Sequence, residues 1–298
     1  MNAPGPDIPP DILCIGAVLW DVIGRAEVPM PPGADRPGRI VRRPGGVALN
    51  VARALRASGL RPALLGHVGL DPEGEALVSA AEAEGIDAAF LSRGGRTDLY
   101  MAVEGPEGLV AAVADAGGLE AAGAAILAPL ADGRLGSADA PWRGPVALDG
   151  NLTAALMAEA ARSPLLAAAD LRLAPASPGK AERLAPFLAR PGATLYLNLE
   201  EAGLLAGRPF AAAPEAAEAL VAAGALRVLV TDGPRPAAFA APGLSEVAAP
   251  PPTEARRVTG AGDCFMAGHI AAELSGATPR DALLVALEAA ARHVSEAP

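Results

Sequence analysis

The segment Arg257-Val258-Thr259-Gly260-Ala261-Gly262-Asp263 places small residues and one carboxylate where an apolar, helix-forming run begins. Residues 228–231 (Val-Leu-Val-Thr) read as a strand ahead of it, and Phe265, Met266, Ile270 and Leu274 behind it fall near helical spacing, so the glycines open a helix. A helix N-terminus offers unpaired N–H groups and the positive end of the macrodipole, and residues without bulk let a phosphate approach the backbone. Asp263 at the head of that helix suits a general base that takes a proton from an attacking hydroxyl in phosphoryl transfer. The same pattern also fits a plain glycine turn in which Asp263 only caps the helix. Two common phosphate motifs are absent: Phe265 stands where a dinucleotide fingerprint needs Gly or Ala, and no G-x-x-x-x-G-K-[ST] occurs.

Strand-like and helix-like runs alternate along the chain. Residues 11–17 predict a strand, 48–58 a helix ended by Gly59, 61–68 a second strand and 72–83 a helix. Short buried strands are expected at 124–127, 146–149, 194–198 and 228–231, with helical stretches between them. Thr278, Pro279 and Asp281 mark the start of the last helix. Such alternation argues for a parallel sheet covered by helices. Two segments break the pattern, about 21–43 and 97–115, the second a hairpin turning at Glu104-Gly-Pro-Glu-Gly108. Together they predict a small accessory sheet, either a lid that keeps water from a phosphoryl donor or a surface ornament.

In open parallel sheets ligands gather beyond the carboxyl ends of strands. Polar residues recur there: Asp21 after the first strand, Asn50 after Gly45-Gly46, Asp149 and Asn151 after the 146–149 strand, and Asn198 with Glu201 after the 194–198 strand. Each alone reads as a cap or turn residue; their joint placement reads as a site. Glu201 suits Mg²⁺, which takes few protein ligands and keeps its waters, while Asp21 and Asn50 suit vicinal sugar hydroxyls.

Composition bounds the alternatives. The 298 residues are 51% hydrophobic and 19% charged, which suits one large α/β core and a single domain over 1–298. The formal charge of −10 opposes nucleic acid polymers and anionic membranes as partners. The first ten residues lack a basic, then apolar, leader, and no run of about 18 apolar residues exists, so a cytoplasmic protein is expected. Cys14 and Cys264 do not make a disulfide framework, and His67, His269 and His293 show no metal-ligand spacing.

These residues resemble the signatures of the PfkB, or ribokinase-like, family of carbohydrate and nucleoside kinases. Residues 45–52 (Gly-Gly-Val-Ala-Leu-Asn-Val-Ala) are similar to its N-terminal signature and 259–263 to its C-terminal one. Asp149-Gly-Asn151, Asn198-Leu-Glu-Glu201 and Thr231-Asp-Gly233 fall between them in the family's order. The resemblance implies a three-layer α/β/α fold with a mostly parallel sheet and a β-sheet lid, and ATP and Mg²⁺ as cofactors. It implies Asp263 as base, an anion hole at Gly260, Ala261 and Gly262, and Glu201 at the metal. Asp21, Gly45, Gly46 and Asn50 would hold the acceptor. Asp149, Asn151, Asn198, Thr231, Gly233, Arg257 and Thr259 would serve the nucleotide, and related kinases often pair as homodimers through the lid.

Within the family, Tyr100-Met-Ala-Val, Ala112-Val-Ala-Asp115, Pro175-Ala-Ser177-Pro-Gly-Lys180 and Val258-Thr259 are similar to pseudouridine kinases. The implied reaction is transfer of the γ-phosphate to the 5′-hydroxyl of pseudouridine, with Tyr100 and Asp115 meeting the base. Another sugar or nucleoside acceptor, such as ribose, fructose or adenosine, is the alternative, and a non-catalytic sugar- or nucleotide-binding regulator is the alternative of another class. Lys180 reads as an exposed helix lysine, with an anion contact as the other option. Two departures stand out: Arg257 replaces an acidic residue common in relatives, and Pro236 occupies a place where glycine is frequent.

Overall fold

The computed structural model describes residues 9–31, 33–254 and 257–296; positions 1–8 of the N-terminal segment, residue 32 of the first lid segment, residues 255 and 256 and the last two positions lie outside the described residues. The chain opens with β1 (Ile12–Ile15), then leaves the main sheet through β2 (Leu19–Ala26) and β3 (Gly38–Gly45). Helix α1 (Val47–Ala57) returns it to β4 (Pro62–Leu65), and β5 (His67–Val68), α2 (Pro72–Ala83) and β6 (Ser92–Arg93) follow. Next come the hairpin β7 (Leu99–Gly105) and β8 (Gly108–Asp115), the short α3 (Gly117–Ala122) and a 3-10 segment, Gly123–Leu130. Strands β9 (Pro145–Asp149), β10 (Asp170–Ala174) and β11 (Ala193–Asn198) are separated by α4 (Ala154–Arg162) and by a 3-10 segment, Pro178–Phe187. The chain continues through α5 (Leu199–Ala206), α6 (Ala213–Ala222), β12 (Val228–Asp232), β13 (Arg235–Ala241) and β14 (Leu244–Ala248), and ends in α7 (Ala261–Leu274) and α8 (Pro279–Ser295).

Eight strands form the main sheet in the order β14-β13-β12-β11-β10-β9-β1-β4, parallel from β4 to β12 and antiparallel at β13 and β14. Its inner strands are mainly apolar on both faces, as burial between two helical layers requires, with Arg172 in β10 and Thr194 in β11 the buried polar exceptions at mid-strand. In β1, Leu13 and Ile15 join the layer that holds α4, α5 and α6, while Ile12 and Cys14 join the layer of α1, α2, α7 and α8. The fold is therefore the three-layer α/β/α arrangement expected from the alternating runs.

The two irregular segments do form one small sheet, in the order β3-β2-β7-β8. Asp21 and Tyr100 are register partners across β2 and β7, which brings both segments to one face. Residues 124–127 are the main misreading: they lie in the 3-10 segment, between Gly123 at φ 49° and Pro129, with Ile126 and Leu130 buried beneath the sheet. A four-residue apolar run cannot distinguish a buried strand from a buried turn of helix. The 61–68 strand breaks into β4 and β5 at Gly66. Both cysteines are free, and burial pushes their thiols up, Cys264 to about 11. Among the described residues no helix is long and apolar enough to cross a membrane.

Candidate active site

The floor of the site is built on Asp149 at the end of β9. Its Oδ2 accepts from the Ala17 amide at 2.9 Å and its Oδ1 from the Asn151 amide at 2.8 Å. Gly16, at φ +147°, makes this possible, since a Cβ there would sit 2.1 Å from Asp149 Oδ2. Asp149 is thus a brace between two strand ends, fully buried, with its pKa raised by burial. Beside it Asn151 lines the cleft and accepts from Lys180 Nζ.

Asp21 on β2 and the start of α1 make the next wall. Gly45 leaves room for the carboxylate, because a Cβ there would lie 2.1 Å from Asp21 Oδ2. Gly46, at φ +94°, brings the head of α1 against the Ala17 carbonyl, where a Cβ would be 2.3 Å away. One turn into α1, Asn50 Nδ2 donates to Asp263 Oδ2 at 2.9 Å. Burial raises the Asp21 pKa, opposed by the charges of Arg43, Arg53 and Arg257.

Helix α7 begins at Gly260, which caps it at φ 91°, and Asp263 falls in its first turn. Burial pushes the Asp263 carboxyl up to about 7; the Asn50 hydrogen bond opposes this, and the charges of Asp149, Asp21 and Glu201 add to it. A carboxylate poised near neutrality, beside the N–H groups of a helix N-terminus, can accept a proton while amides of Gly260 and Gly262 meet an anion; the Ala261 N–H, expected in that anion hole, is instead bonded to Val258 O at 3.1 Å.

On the far side Asn198 and Glu201 form a reciprocal capping box at the head of α5: each side chain accepts from the other's backbone amide at 2.8 Å. Both line the cleft, as do Thr231, Gly233 and Pro234 at the β12–β13 turn. Pro250–Thr253 and the α8 residues Leu287, Ala290, Ala291 and Val294 complete an apolar slot there. The whole cleft is continuous at about 1120 Å³, beyond the roughly 300–1,000 Å³ of a pocket for one drug-sized ligand.

Asp21, Gly46, Asn50, Tyr100, Asn151, Asn198, Glu201, Thr231, Gly233, Thr259, Gly260, Ala261, Gly262 and Asp263 all line this cleft. Gly45, Asp115, Asp149 and Arg257 are not among its described lining residues. Gly45 and Asp149 support it from behind, and Asp115 is exposed at the end of β8 while its neighbours Ala114 and Ala116 face the cleft. Arg257 donates its amide to Val294 O at 3.1 Å, and its charge acts on Asp21 and Arg43. The Pro236 departure falls in β13, opposite a register skip between Val230 and Asp232, where the ladder does not call on its missing N–H. Lys180, read from sequence as an exposed helix lysine, is instead half-buried in the cleft, with burial lowering its pKa. Its signal was the turn Pro175-Ala176-Ser177-Pro178: Ala176 takes φ 71°, the single positive φ among described non-glycine residues. Backbone in that region favours glycine, and such outliers gather at functional sites.

Comparison with known proteins bears on the fold and the family. A curated relative, the uncharacterized sugar kinase YeiI of Escherichia coli (strain K12), is 32% identical over 91 residues, which is 30% of this chain and 25% of that protein. The match therefore spans a quarter of the relative's length. A carbohydrate kinase structure from Agrobacterium tumefaciens is 28% identical with a TM-score of 0.75, covering 94% of this chain and 89% of that one. The ribokinase of Thermotoga maritima superposes with a TM-score of 0.79 at 18% identity, over 96% of this chain and 93% of that one. Arabidopsis thaliana ribokinase complexed with ribose and ATP gives 0.76 at 18% identity, over 97% and 94%. These last two share the ribokinase-like fold. The model of the pfkB family of carbohydrate kinases matches residues 9–297, and the chain belongs to that family.

Proposed function

We propose that the protein is an ATP-dependent kinase that phosphorylates a primary hydroxyl of a small sugar or nucleoside. The observation that carries this reading is the position of Asp263: a carboxyl held near pKa 7 at the head of α7, where the two halves of the cleft meet. The acceptor hydroxyl oxygen attacks the γ-phosphorus, its proton passes to the Asp263 carboxylate, and the bond from phosphorus to the β,γ-bridging oxygen breaks to release ADP. The amides of Gly260, Gly262 and Asp263 meet the negative charge that develops on the transferred group.

Asp21, Gly46, Asn50 and Tyr100 serve the acceptor half, backed by Gly45. Asn151, Lys180 and Asn198 serve the phosphates, and Thr231, Gly233 and the apolar slot serve the nucleoside of ATP. Asp149 and Arg257 act from behind as supports of that surface, and Thr259 lines it beside the glycine turn. Among the described residues no group of three or more His, Cys, Asp or Glu could hold a metal alone. Glu201 nevertheless fits Mg²⁺: its carboxyl lines the cleft, burial has raised its pKa, and a cation relieves that cost. Mg²⁺, held by Glu201 with phosphate oxygens and water, would neutralise charge on the donor phosphates.

The names of the relatives favour a sugar acceptor in the broad sense. The apolar lining of Leu19, Tyr100, Ala114 and Ala116 also accommodates a base, and the 5′-hydroxyl of pseudouridine is the narrower form of the proposal. Dependence on ATP suits a cytoplasmic enzyme. The outer face of the small sheet exposes Ile40, Met101 and Val113, and self-association through this sheet would cover them, which sedimentation across a concentration series tests. The acceptor is tested by coupled assay with ATP and Mg²⁺ against pseudouridine, uridine, adenosine, ribose and fructose.

A further inference from the structure

We propose that His293, in the last turn of α8, is a positioning residue that aims the glycine turn opening α7. Its Nε2 lies 2.8 Å from the Thr259 carbonyl oxygen. A carbonyl only accepts, so this nitrogen carries the proton. Burial holds the imidazole below its ordinary pKa range, which leaves Nδ1 unprotonated at neutral pH. The ring also packs against Gly260, where a Cβ would come within 3.0 Å of Nε2 and 3.2 Å of Cε1. Gly260 stands at φ +91°, a conformation that glycine adopts without penalty and that still needs holding.

The hydrogen bond sets more than one carbonyl. Thr259 C=O and Gly260 N–H belong to one planar trans peptide, so fixing the oxygen toward His293 turns the Gly260 amide the opposite way. The adjacent residue of α8 makes a second tie, since Val294 O accepts from the Arg257 amide at 3.1 Å. Past these ties the turn closes on itself, Ala261 N–H to Val258 O at 3.1 Å and Cys264 N–H to Gly260 O at 3.0 Å. Two consecutive residues of the final helix thus hold residues 257 and 259, the stretch that leads directly into the amides beside Asp263. The loss expected from releasing that grip is one of alignment, which falls on turnover and not on acceptor binding.

This inference rests on the reading that those amides meet the transferred phosphate, and the test separates the two. His293→Leu removes the donor and keeps bulk; His293→Gln keeps an N–H near the Nε2 position. In wild type and both variants, kcat and acceptor KM are measured beside amide hydrogen exchange of the peptide spanning 257–264. The proposal predicts that the Leu variant exchanges this peptide about tenfold faster and loses about tenfold in kcat, with acceptor KM within about twofold. The Gln variant should stay within about threefold of wild type in both readouts. Unchanged exchange in the Leu variant, a Gln variant as defective as Leu, or faster exchange without loss of kcat would each overturn it. If the wild type phosphorylates no acceptor, the functional reading fails, while exchange in the Leu and Gln variants still decides whether His293 holds the turn.

Discussion

Asn50 Nδ2 donates to Asp263 Oδ2 across 2.9 Å, joining the first turns of α1 and α7 over a sequence separation of 213. Because the carboxylate can only accept, the Asn50 amide must present its nitrogen to Asp263 and its oxygen elsewhere. That oxygen faces Arg53 Nη1 at 3.5 Å, and Arg53 is held by Glu84 through bonds of 2.5 and 2.9 Å. The bond stabilises the ionised form of a carboxyl that burial and three neighbouring carboxylates push toward neutrality.

Removing this donor should therefore move the pH dependence and not only the rate. Asn50→Leu is expected to shift the acidic limb of kcat/KM upward by about one pH unit and to raise acceptor KM. A pH–rate profile of the variant beside wild type reads the shift directly. An unshifted limb would mean that the contact does not control the base.

In the wild type kcat/KM should rise with pH and level off above about 7, since the base works only when unprotonated. Stability should run the other way. The folded-state pKa lies above the ordinary carboxylate value, so ionising Asp263 costs the folded state, and its contribution falls as pH rises from about 4 through about 7. Asp263→Asn should accordingly melt a few degrees higher than wild type at pH 8 and no higher at pH 4, a comparison made by calorimetry at both pH values.

Lys180→Met should weaken the phosphate half of the cleft. We expect a rise in KM for ATP and a fall in kcat, together about 10–100-fold in kcat/KM, with partial recovery in Lys180→Arg. An acceptor KM that moves while the ATP KM stays fixed would place Lys180 with the acceptor instead.

Gly16→Ala should cost about 2–4 kcal/mol, because the new Cβ would overlap the Asp149 carboxyl whose bond to the Ala17 amide ties the end of β1 to β9. Urea unfolding measures this loss. Gly95→Ala, also at positive φ but with nothing within 4 Å, should cost only the smaller backbone penalty.

Local signals carried much of the architecture. Thr278, Pro279 and Asp281 announced α8, and Thr278 does accept from the Asp281 amide; α2 runs over the expected 72–83. The turn at 260–263 was legible because its glycine pattern and the following helix are both local. Strand β10 was not, because Arg172 lies inside it; that charge is buried only by pairing with Asp170 on the same strand and Glu273 on α7. The bond between Asn50 and Asp263, the inward turn of Lys180 and the grip of His293 on Thr259 escaped for a related reason. Each depends on residues far apart in sequence, and periodicity or capping rules report only neighbours along the chain.

The most direct test of the account is ATP consumption with Mg²⁺ by wild type and Asp263→Asn across the acceptor panel, with phosphorylated product identified by mass spectrometry. The account predicts one phosphorylated acceptor per ATP consumed by the wild type, and a loss of about 10²–10⁴ in kcat for a variant that folds normally. Transfer at the wild-type rate by folded Asp263→Asn would contradict the assignment of the base, and tight binding of ATP and acceptor with no transfer by the wild type would make the protein a binder and not a kinase.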